Sequence, residues 1–317
     1  MKGAIPMDSL ENKTIAVLMG GLSKEREVSM TTGTEVLNAL LRQGLKAVKV
    51  EVGRDVAARL AELKPDIAFI ALHGTFGEDG AIQGLLECMR IPYTGSGVLG
   101  STLAYNKVAT KRILTVEGIP TPRYAVFYKG RFDGAPCPLP LPVVVKPSDQ
   151  GSSIGVSVVR KESEWKPALN MAFEISEEAL VEEFIDGKLL AIGMNEDNPM
   201  PIVHIRPKSG FYDYEAKYTS GKTEYECPAQ LTAKQVEACN RVARKVYRVL
   251  RGRGFPRVDV ILSTEGTPYV LEMNTIPGMT PLSLLPMAAK QSGLEFDALV
   301  REITRSARLD IPEESTA

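Results

Sequence analysis

The first hundred residues alternate between short apolar runs and segments with apolar residues at helical spacing. The apolar runs predict β-strands at Thr14–Met19, Lys46–Val52 and Ile67–Leu72. Helices are predicted between them, one ending near Leu41 and one over Asp55–Leu63. Strands that alternate with helices favour parallel pairing, so this part of the chain is predicted to form an α/β layer.

Glu25 and His73 each follow the end of a predicted strand. Ligands of parallel sheets bind beyond the carboxyl ends of the strands. We therefore expect both side chains to face one crevice. For His73, a structural histidine with satisfied hydrogen bonds is the other interpretation.

The middle of the chain changes to a strand–loop–strand pattern, typical of an α+β unit, after Pro/Gly-rich breaks at 118–122 and 134–142. The elements predicted here are strands at Val143–Lys146, Val156–Val159 and Leu180–Phe184 and a helix over Ser163–Phe173. A third region begins at about residue 195. We expect three domains, over 1–106, 107–194 and 195–317.

The segment Gly95–Gly100 has the G-x-G-x-x-G spacing of a dinucleotide-binding fingerprint. Such a fingerprint follows the buried strand of a first βαβ unit. The preceding segment, Arg90–Thr94, is short and contains a proline. We therefore interpret Gly95–Gly100 as a turn that enters a helix over Ser101–Val116.

Near the C-terminus, strands Arg257–Leu262 and Tyr269–Asn274 are joined by a turn centred on Glu265-Gly266. If that turn sets the register, paired residue numbers sum to 531. Asp259 then faces Glu272, and Arg257 faces Asn274. All four share one side of the hairpin, and the opposite, core-facing side is predicted to carry Val258, Val260, Leu271 and Met273.

Two neighbouring carboxylates repel each other unless a cation lies between them. Magnesium prefers oxygen ligands and keeps positions open for substrate phosphates. Asp259, Glu272 and Asn274 are therefore predicted to hold a metal. The other interpretation is a surface ladder in which Arg257 neutralises the acids, since cross-strand charge pairs are common.

The loop after Lys146 is rich in Gly and Ser but is not a Walker A loop, because its lysine precedes the glycines. A Gly/Ser hairpin can still fold over phosphates while Lys146 supplies a point charge. The aromatic segment Gly210–Tyr218 suits a lid that excludes water.

The chain of 317 residues carries 38 Lys and Arg against 39 Asp and Glu. This balance gives no global field for nucleic acid or an anionic membrane, so we expect neither partner. The four cysteines form no C-x-x-C pair, which disfavours a zinc site. Without an apolar run of about 18 residues, the protein is expected to be cytoplasmic.

Together these segments resemble the ATP-grasp superfamily and, within it, the D-alanine–D-alanine ligase family. The resemblance spans about residues 14–300, and several of its motifs are peculiar to this ligase family. The motifs are GGLSKEREVS (20–29), ALHGTFGEDGAIQGLLE (71–87), PYTGSG (92–97), the Lys107 region, VVKPSDQGSSIGVS (144–157), FYDYEAKY (211–218), RVDV (257–260) and LEMNTIPGMTPLSLLPMAA (271–289).

The resemblance implies an ATP-grasp fold, α/β and α+β, with an N-terminal Rossmann-like parallel α/β domain. It also implies a homodimer that joins two D-alanines for peptidoglycan synthesis, using ATP and two Mg²⁺ (or Mn²⁺) ions. ATP would phosphorylate the first D-alanine, and the amine of the second would attack the acyl phosphate.

By the same resemblance, the site residues carry distinct roles. The catalytic set is Glu25, Ser152, Tyr218, Arg257 and Gly278. The ATP-binding set is Lys107, Lys146, Ser153, Glu182, Glu183, Ile185 and Lys217. The substrate-binding set is Glu25, His73, Lys217, Arg257, Gly278, Ser283 and Leu284, and the metal ligands are Asp259, Glu272 and Asn274.

One position departs from the family pattern. Leu189 stands where the family usually has a glutamate that binds the ribose hydroxyls. Asp186 is a candidate to compensate for it. Two alternatives remain open at this point: a D-alanine–D-lactate ligase, which the retained Tyr218 disfavours, and a non-catalytic nucleotide-binding protein on the same scaffold, which the competent phosphoryl-transfer residues disfavour.

Overall fold

The computed structural model describes residues 10–132, 134–208, 210, 212, 219 and 221–310. The first unit is a three-stranded parallel sheet of order β2–β1–β3. Every residue of β1 is buried, as expected for a parallel strand covered on both faces. The elements are β1 (Ile15–Gly20), α1 (Arg26–Arg42), β2 (Ala47–Val52), α2 (Val56–Leu63), β3 (Ile67–Ile70) and α3 (Ala81–Cys88). The predicted α/β layer is confirmed.

Two helices lead into the second unit, where one was predicted. They are α4 (Val98–Tyr105) and α5 (Lys107–Val116). The prediction of one continuous helix was wrong because Asn106 adopts an extended conformation and caps α5, its side chain accepting a hydrogen bond from the Ala109 N–H at 2.8 Å. A turn does enter the helix, but it ends at Gly97, the N-cap of α4, so that Val98–Gly100 of the predicted turn are already helical.

The second sheet is antiparallel, with the order β4–β7–β5–β6. One face packs through Val143, Val145 and Val181 against Trp165 and its neighbours on α6. The opposite face carries Lys146 and Glu182, because side chains alternate along β5 and β7. The elements are β4 (Tyr124–Tyr128), β5 (Val143–Pro147), β6 (Ser157–Val159), α6 (Glu162–Phe173) and β7 (Glu178–Glu183).

The third sheet has the order β11–β10–β8–β12–β13, with β9 paired to β8. Helix α7 starts at a capping box formed by Thr232 and Gln235 and buries Cys239 and Val246 against one face of the sheet. The elements are β8 (Gly187–Asn195), β9 (Asn198–Pro199), β10 (Val203–Pro207), β11 (Thr223–Glu226), α7 (Ala233–Val249), β12 (Arg257–Ser263), β13 (Pro268–Asn274), α8 (Leu284–Gln291) and α9 (Phe296–Arg305).

The β12–β13 hairpin has the predicted register where the charged residues stand. Arg257 pairs with Asn274, and Asp259 pairs with Glu272. Beyond Asp259 the register shifts by one, so that Val260 pairs with Val270. This irregularity corrects one predicted core position: Val270 is buried in the core in place of Leu271, which stays partly exposed, because an extra residue reverses the alternation.

Strand β8 pairs with β10 and β12 of the third sheet, although the predicted division at 194/195 assigns it to the central domain. The three-domain division stays a prediction. Among the described residues, no helix combines the length and the apolar character that a membrane crossing requires.

Candidate active site

A cavity of about 680 Å³ lies among residues contributed by all three sheets and their loops. Glu25 and His73 both line it, which confirms that they face one crevice. The other predicted site residues in its lining are Lys107, Ser152, Arg257, Glu272, Asn274, Gly278, Ser283 and Leu284. The chain therefore brings together residues that lie up to 259 positions apart, Glu25 to Leu284.

Other predicted site residues lie elsewhere. Asp259, Lys146, Ser153, Glu182, Glu183 and Ile185 are not among the described residues that line this cavity. Two further predictions, Lys217 and Tyr218, fall outside the described residues. Of the aromatic segment, the structure describes Gly210 and Tyr212, and Tyr212 lines the cavity.

Glu25 holds the Gly/Ser loop against the first unit. The Ser152 hydroxyl donates a hydrogen bond to Glu25 Oε1, across 127 positions of sequence. Ser152 and Ser153 both have positive φ, 53° and 58°, a conformation that costs energy for residues other than glycine. Backbone strain of this kind accumulates at functional sites, which supports a role for this loop in the chemistry.

Two glycines make the close approach to Glu25 possible, and sequence reasoning assigned neither of them this role. A Cβ at Gly151 would lie 2.9 Å from Glu25 Oε2, and one at Gly74 would lie 2.7 Å from the same oxygen. Gly74 also has a positive φ of 71°. Any side chain at either position would push the carboxylate away from Ser152.

His73 is 6% exposed at the inner wall of the cavity. Its Nε2 lies 3.1 Å from Thr32 Oγ1, and its Nδ1 lies 3.8 Å from Glu78 Oε1. Thr32 and Glu78 also line the cavity, although neither was singled out in the sequence. These neighbours suit a structural histidine and equally suit a ring that is oriented to meet a substrate.

On the hairpin, Arg257 binds Asp259 with two hydrogen bonds, Nε to Oδ1 and Nη2 to Oδ2, both 2.7 Å long. Burial alone would lower the pKa of Arg257, but the charge and hydrogen bonds of Asp259 raise it above its usual value. Arg257 is thus a permanent cation at the cavity wall. This pair lies along β12 and not across the hairpin, so it neutralises Asp259 without forming the cross-strand ladder of the other interpretation.

Glu272 and Asn274 stand next to this pair on the same face. Glu272 Oε2 lies 3.4 Å from Lys107 Nζ, and Asn274 Oδ1 accepts a hydrogen bond from the Ile276 N–H at 2.9 Å. The described residues contain no cluster of three His, Cys, Asp or Glu side chains placed for a metal. The hairpin instead offers two carboxylates, with the amide oxygen of Asn274 as a third donor. Oxygen donors on adjacent strands fit Mg²⁺ or Mn²⁺.

The loop after β13 ends at Ser283, the N-cap of α8. Ser283 Oγ accepts a hydrogen bond from the Thr280 N–H at 3.1 Å. A Cβ at Gly278 would lie 3.2 Å from the same hydroxyl, so Gly278 keeps this corner open. Ser283 and Leu284, at the N-terminus of α8, both line the cavity, and helix N-termini favour carboxylates.

Behind the cavity, Glu182 contacts Lys111 Nζ with Oε1 and Lys146 Nζ with Oε2. Burial alone would raise the pKa of Glu182, but the two lysines lower it below its usual value. Lys111 was missed in the sequence. The available signal was its position, one helical turn after Lys107 and so on the same face of α5.

Glu183 and Leu189 lie on β7 and β8, on either side of the connection between these strands. Glu183 accepts hydrogen bonds from the Arg123 backbone N–H and Nε, at 2.9 and 2.6 Å, so its carboxylate is already engaged. Leu189 pairs with Ile205 and Ile261 and packs into the apolar cluster. Its replacement of a carboxylate is therefore accommodated by apolar neighbours.

Comparison with known proteins identifies the family. Residues 113–305 match the family described as "D-ala D-ala ligase C-terminus", and residues 53–96 match "D-ala D-ala ligase N-terminus". The chain belongs to the D-alanine–D-alanine ligase family.

Relatives in this family match along almost their whole length. The D-alanine–D-alanine ligase of Geotalea uraniireducens is 48% identical, with 97% of this chain and 99% of the relative covered. That of Geobacter sulfurreducens is 47% identical, with 97% and 98% covered. Both ligases therefore align with all three sheets of this family member.

Solved structures in the family share the fold. The Bacillus anthracis D-alanine–D-alanine ligase in complex with ATP superposes with a TM-score of 0.80 at 34% identity, covering 93% of this chain and 96% of that one. The ATP-grasp fold expected from the sequence is confirmed by this similarity.

Proposed function

We propose that this chain joins two D-alanines into D-alanyl-D-alanine for peptidoglycan synthesis, with ATP converted to ADP and phosphate through a D-alanyl phosphate intermediate. The observation that carries the proposal is the single cavity in which the Glu25–Ser152 pair, Arg257 and the Glu272/Asn274 corner meet. Membership of the D-alanine–D-alanine ligase family supports the same reaction.

The first D-alanine binds through its ammonium to Glu25, which is 9% exposed at the cavity wall, with His73 beside it. A buried carboxylate attracts an ammonium more strongly than an exposed one, because little water screens the pair. The set Glu25, Ser152 and Tyr218 then closes the site over the substrate.

Arg257 and the Gly278 N–H stabilise the oxyanion of the tetrahedral intermediate. Fixed donors aimed at developing charge are a large source of rate enhancement, and Arg257 is held in place by its two hydrogen bonds to Asp259. The carboxylate of the second D-alanine binds at Ser283 and Leu284, the N-terminus of α8, together with Lys217.

ATP binds through Lys107, Lys146, Ser153, Glu182, Glu183, Ile185 and Lys217. Asp259, Glu272 and Asn274 would hold two Mg²⁺ (or Mn²⁺) ions, which would supply positive charge against the phosphates. Lys107 contacts Glu272 and also donates to the Gln150 carbonyl at 2.7 Å, so it connects the hairpin to the phosphate-covering loop. We further propose a cytoplasmic homodimer.

The test is the product formed from ATP and amino acid by the purified chain. ADP release that depends on D-alanine, fails with L-alanine and accompanies D-alanyl-D-alanine supports the proposal. Supplying D-alanine and D-lactate together distinguishes a depsipeptide ligase by the mass of the product. ATP binding without turnover would favour a non-catalytic nucleotide-binding protein and contradict the proposal.

A further inference from the structure

Three charged side chains are buried together on the face of the second sheet that looks toward α5. Lys111 is 0% exposed, Glu182 is 2% and Lys146 is 8%. Glu182 contacts one lysine through each carboxylate oxygen. Two lysines and one carboxylate leave a net charge of one positive unit in this Lys111–Glu182–Lys146 cluster.

Lys111 has no access to solvent and so cannot touch a ligand itself. Lysine is almost never fully buried without a paired charge, and buried ion pairs are a weak source of stability compared with apolar packing. Stability alone is therefore a poor reason for a lysine at this position. The useful difference between the two lysines is that Lys146 keeps some exposure while Lys111 keeps none.

We propose that Lys111 is a positioning residue of the nucleotide site: it neutralises Glu182, so that Lys146 offers an uncompensated positive charge to the nucleotide phosphates. The proposal rests on the proposed function in so far as Lys146 meets ATP. Without Lys111, Glu182 would be countered by Lys146 alone, and Lys146 would be held away from the phosphates by a buried carboxylate.

Helix α5 ties this cluster to the hairpin. Lys107 at its first turn contacts Glu272 at 3.4 Å. One turn later, Lys111 Nζ donates to Thr121 Oγ1 at 2.5 Å, and the Thr121 hydroxyl donates to the Val270 carbonyl of β13 at 2.7 Å. The position of Lys146 is thereby connected, through Glu182 and Lys111, to the strand that carries Glu272 and Asn274.

The protonation state of Lys111 gives a second way to test its role. Burial lowers its pKa to about 8, although Glu182 and Glu183 on β7 raise it and Lys146 on β5 lowers it further. The Tyr124 ring on β4 also faces its ammonium, at 6.0 Å. As the pH rises through this value, Lys111 loses its charge, Glu182 depends on Lys146 alone, and affinity for MgATP should fall.

The experiment measures the dissociation constant of MgATP by titration calorimetry on the full chain. Lys111→Met is expected to weaken binding about tenfold. Arg112→Met, on the exposed side of the same helix, is the matched control and should bind as the wild type does. The double variant Lys111→Met/Glu182→Gln should bind more tightly than Lys111→Met, because removing the carboxylate releases Lys146. Glu182 is 2% exposed, so its side chain has little direct contact with the nucleotide to lose.

Two outcomes would overturn the proposal: a folded Lys111→Met chain that binds MgATP within about twofold of the wild type, or a double variant as weak as the single one. A purely structural lysine would give no recovery in the double variant. If Lys111→Met does not fold, the double variant decides: with both partners of the buried pair removed it should bind MgATP within about twofold of the wild type, and binding about tenfold weaker would overturn the proposal.

Between about pH 7.5 and about pH 9, wild-type affinity for MgATP should fall and that of the double variant should stay flat. Dipeptide formation is assayed separately, so a chain that binds MgATP in this Lys111-dependent way but forms no D-alanyl-D-alanine would contradict the proposed function alone.

Discussion

Two groups of charged residues flank the candidate site, and they treat their carboxylates differently. On the hairpin, Asp259 and Glu272 meet Arg257 and Lys107, so that two negative charges face two positive ones. In the Lys111–Glu182–Lys146 cluster, one carboxylate faces two lysines. The Glu272 side chain is 29% exposed, whereas that of Glu182 is 3% exposed.

The difference separates exchangeable charges from fixed ones. An exposed carboxylate can leave its lysine for a divalent cation, because water stabilises both groups during the exchange. A buried carboxylate cannot change partners without leaving a charge unpaired in the interior. The Glu272 position on the hairpin is therefore suited to exchanging Lys107 for another cation, and the buried cluster is suited to holding a positive charge in place.

The largest effect is expected on turnover, when the exchangeable carboxylate of Glu272 on the hairpin is replaced. Glu272→Gln keeps the shape of the side chain but removes a charged oxygen donor for metal, so turnover should fall by at least about 10³-fold. The fold should survive, since the side chain is partly exposed. The assay is ADP release with D-alanine, and Glu265→Gln in the exposed turn of the same hairpin is the control. Near-normal turnover in Glu272→Gln would contradict the assignment of Glu272 as a metal ligand.

A substitution in the buried Lys111–Glu182–Lys146 cluster should lower the free energy of unfolding. Glu182→Gln leaves Lys111 and Lys146 buried without their carboxylate, and we expect a loss of about 3 kcal/mol in the free energy of unfolding. Urea unfolding at neutral pH measures it. Glu177→Gln, at an 83% exposed side chain on the same unit, should leave the midpoint unchanged. Equal urea midpoints for the wild type and Glu182→Gln would show that the buried ion pairs do not stabilise the fold.

That stability difference should depend on pH. The pKa of Glu182 is lowered in the folded chain from its ordinary value of 4.5, so its stabilisation is fully present above that value. It is lost as the pH falls from there through the lowered pKa. The unfolding curves of the wild type and Glu182→Gln should therefore converge in acid. A difference in unfolding free energy that stays constant with pH would contradict a lowered pKa of Glu182.

Arg257→Lys tests the hairpin cation. Lysine keeps the charge but cannot bind both oxygens of Asp259 and still reach an oxyanion, because it lacks the planar fork of arginine. We expect kcat to fall about 10²-fold with a smaller change in KM for D-alanine. A change confined to KM would place Arg257 in substrate binding and remove it from the transition state.

The smallest effect is expected where the two groups are joined. Thr121→Val removes the hydroxyl that accepts from Lys111 and donates to Val270. Loss of one such hydrogen-bonded link should weaken MgATP binding about threefold. Calorimetry would check it, and a lower melting temperature with unchanged affinity would mean that the link serves stability only.

Contacts between residues that are close in sequence were the easiest to predict. The hairpin partners Asp259 and Glu272 are close in sequence, and alternation plus a short turn was enough to pair them. The register shift beyond Asp259 escaped prediction, because Val270 and Leu271 are both apolar and either fits a core-facing pattern. Asn106 was overlooked as a cap, so two helices were merged into one.

The sequence by itself determined the parallel first unit, the charged face of the hairpin and, through its motifs, the family. These features depend on local periodicity and on runs of residues that stay together along the chain. Tertiary structure alone decided that Gly74 and Gly151 leave room for the Glu25 carboxylate, and that Lys111 is buried against Glu182. A lysine on a helix is solvated unless a distant sheet covers it. Which sheet does so is a property of packing, which no local pattern specifies.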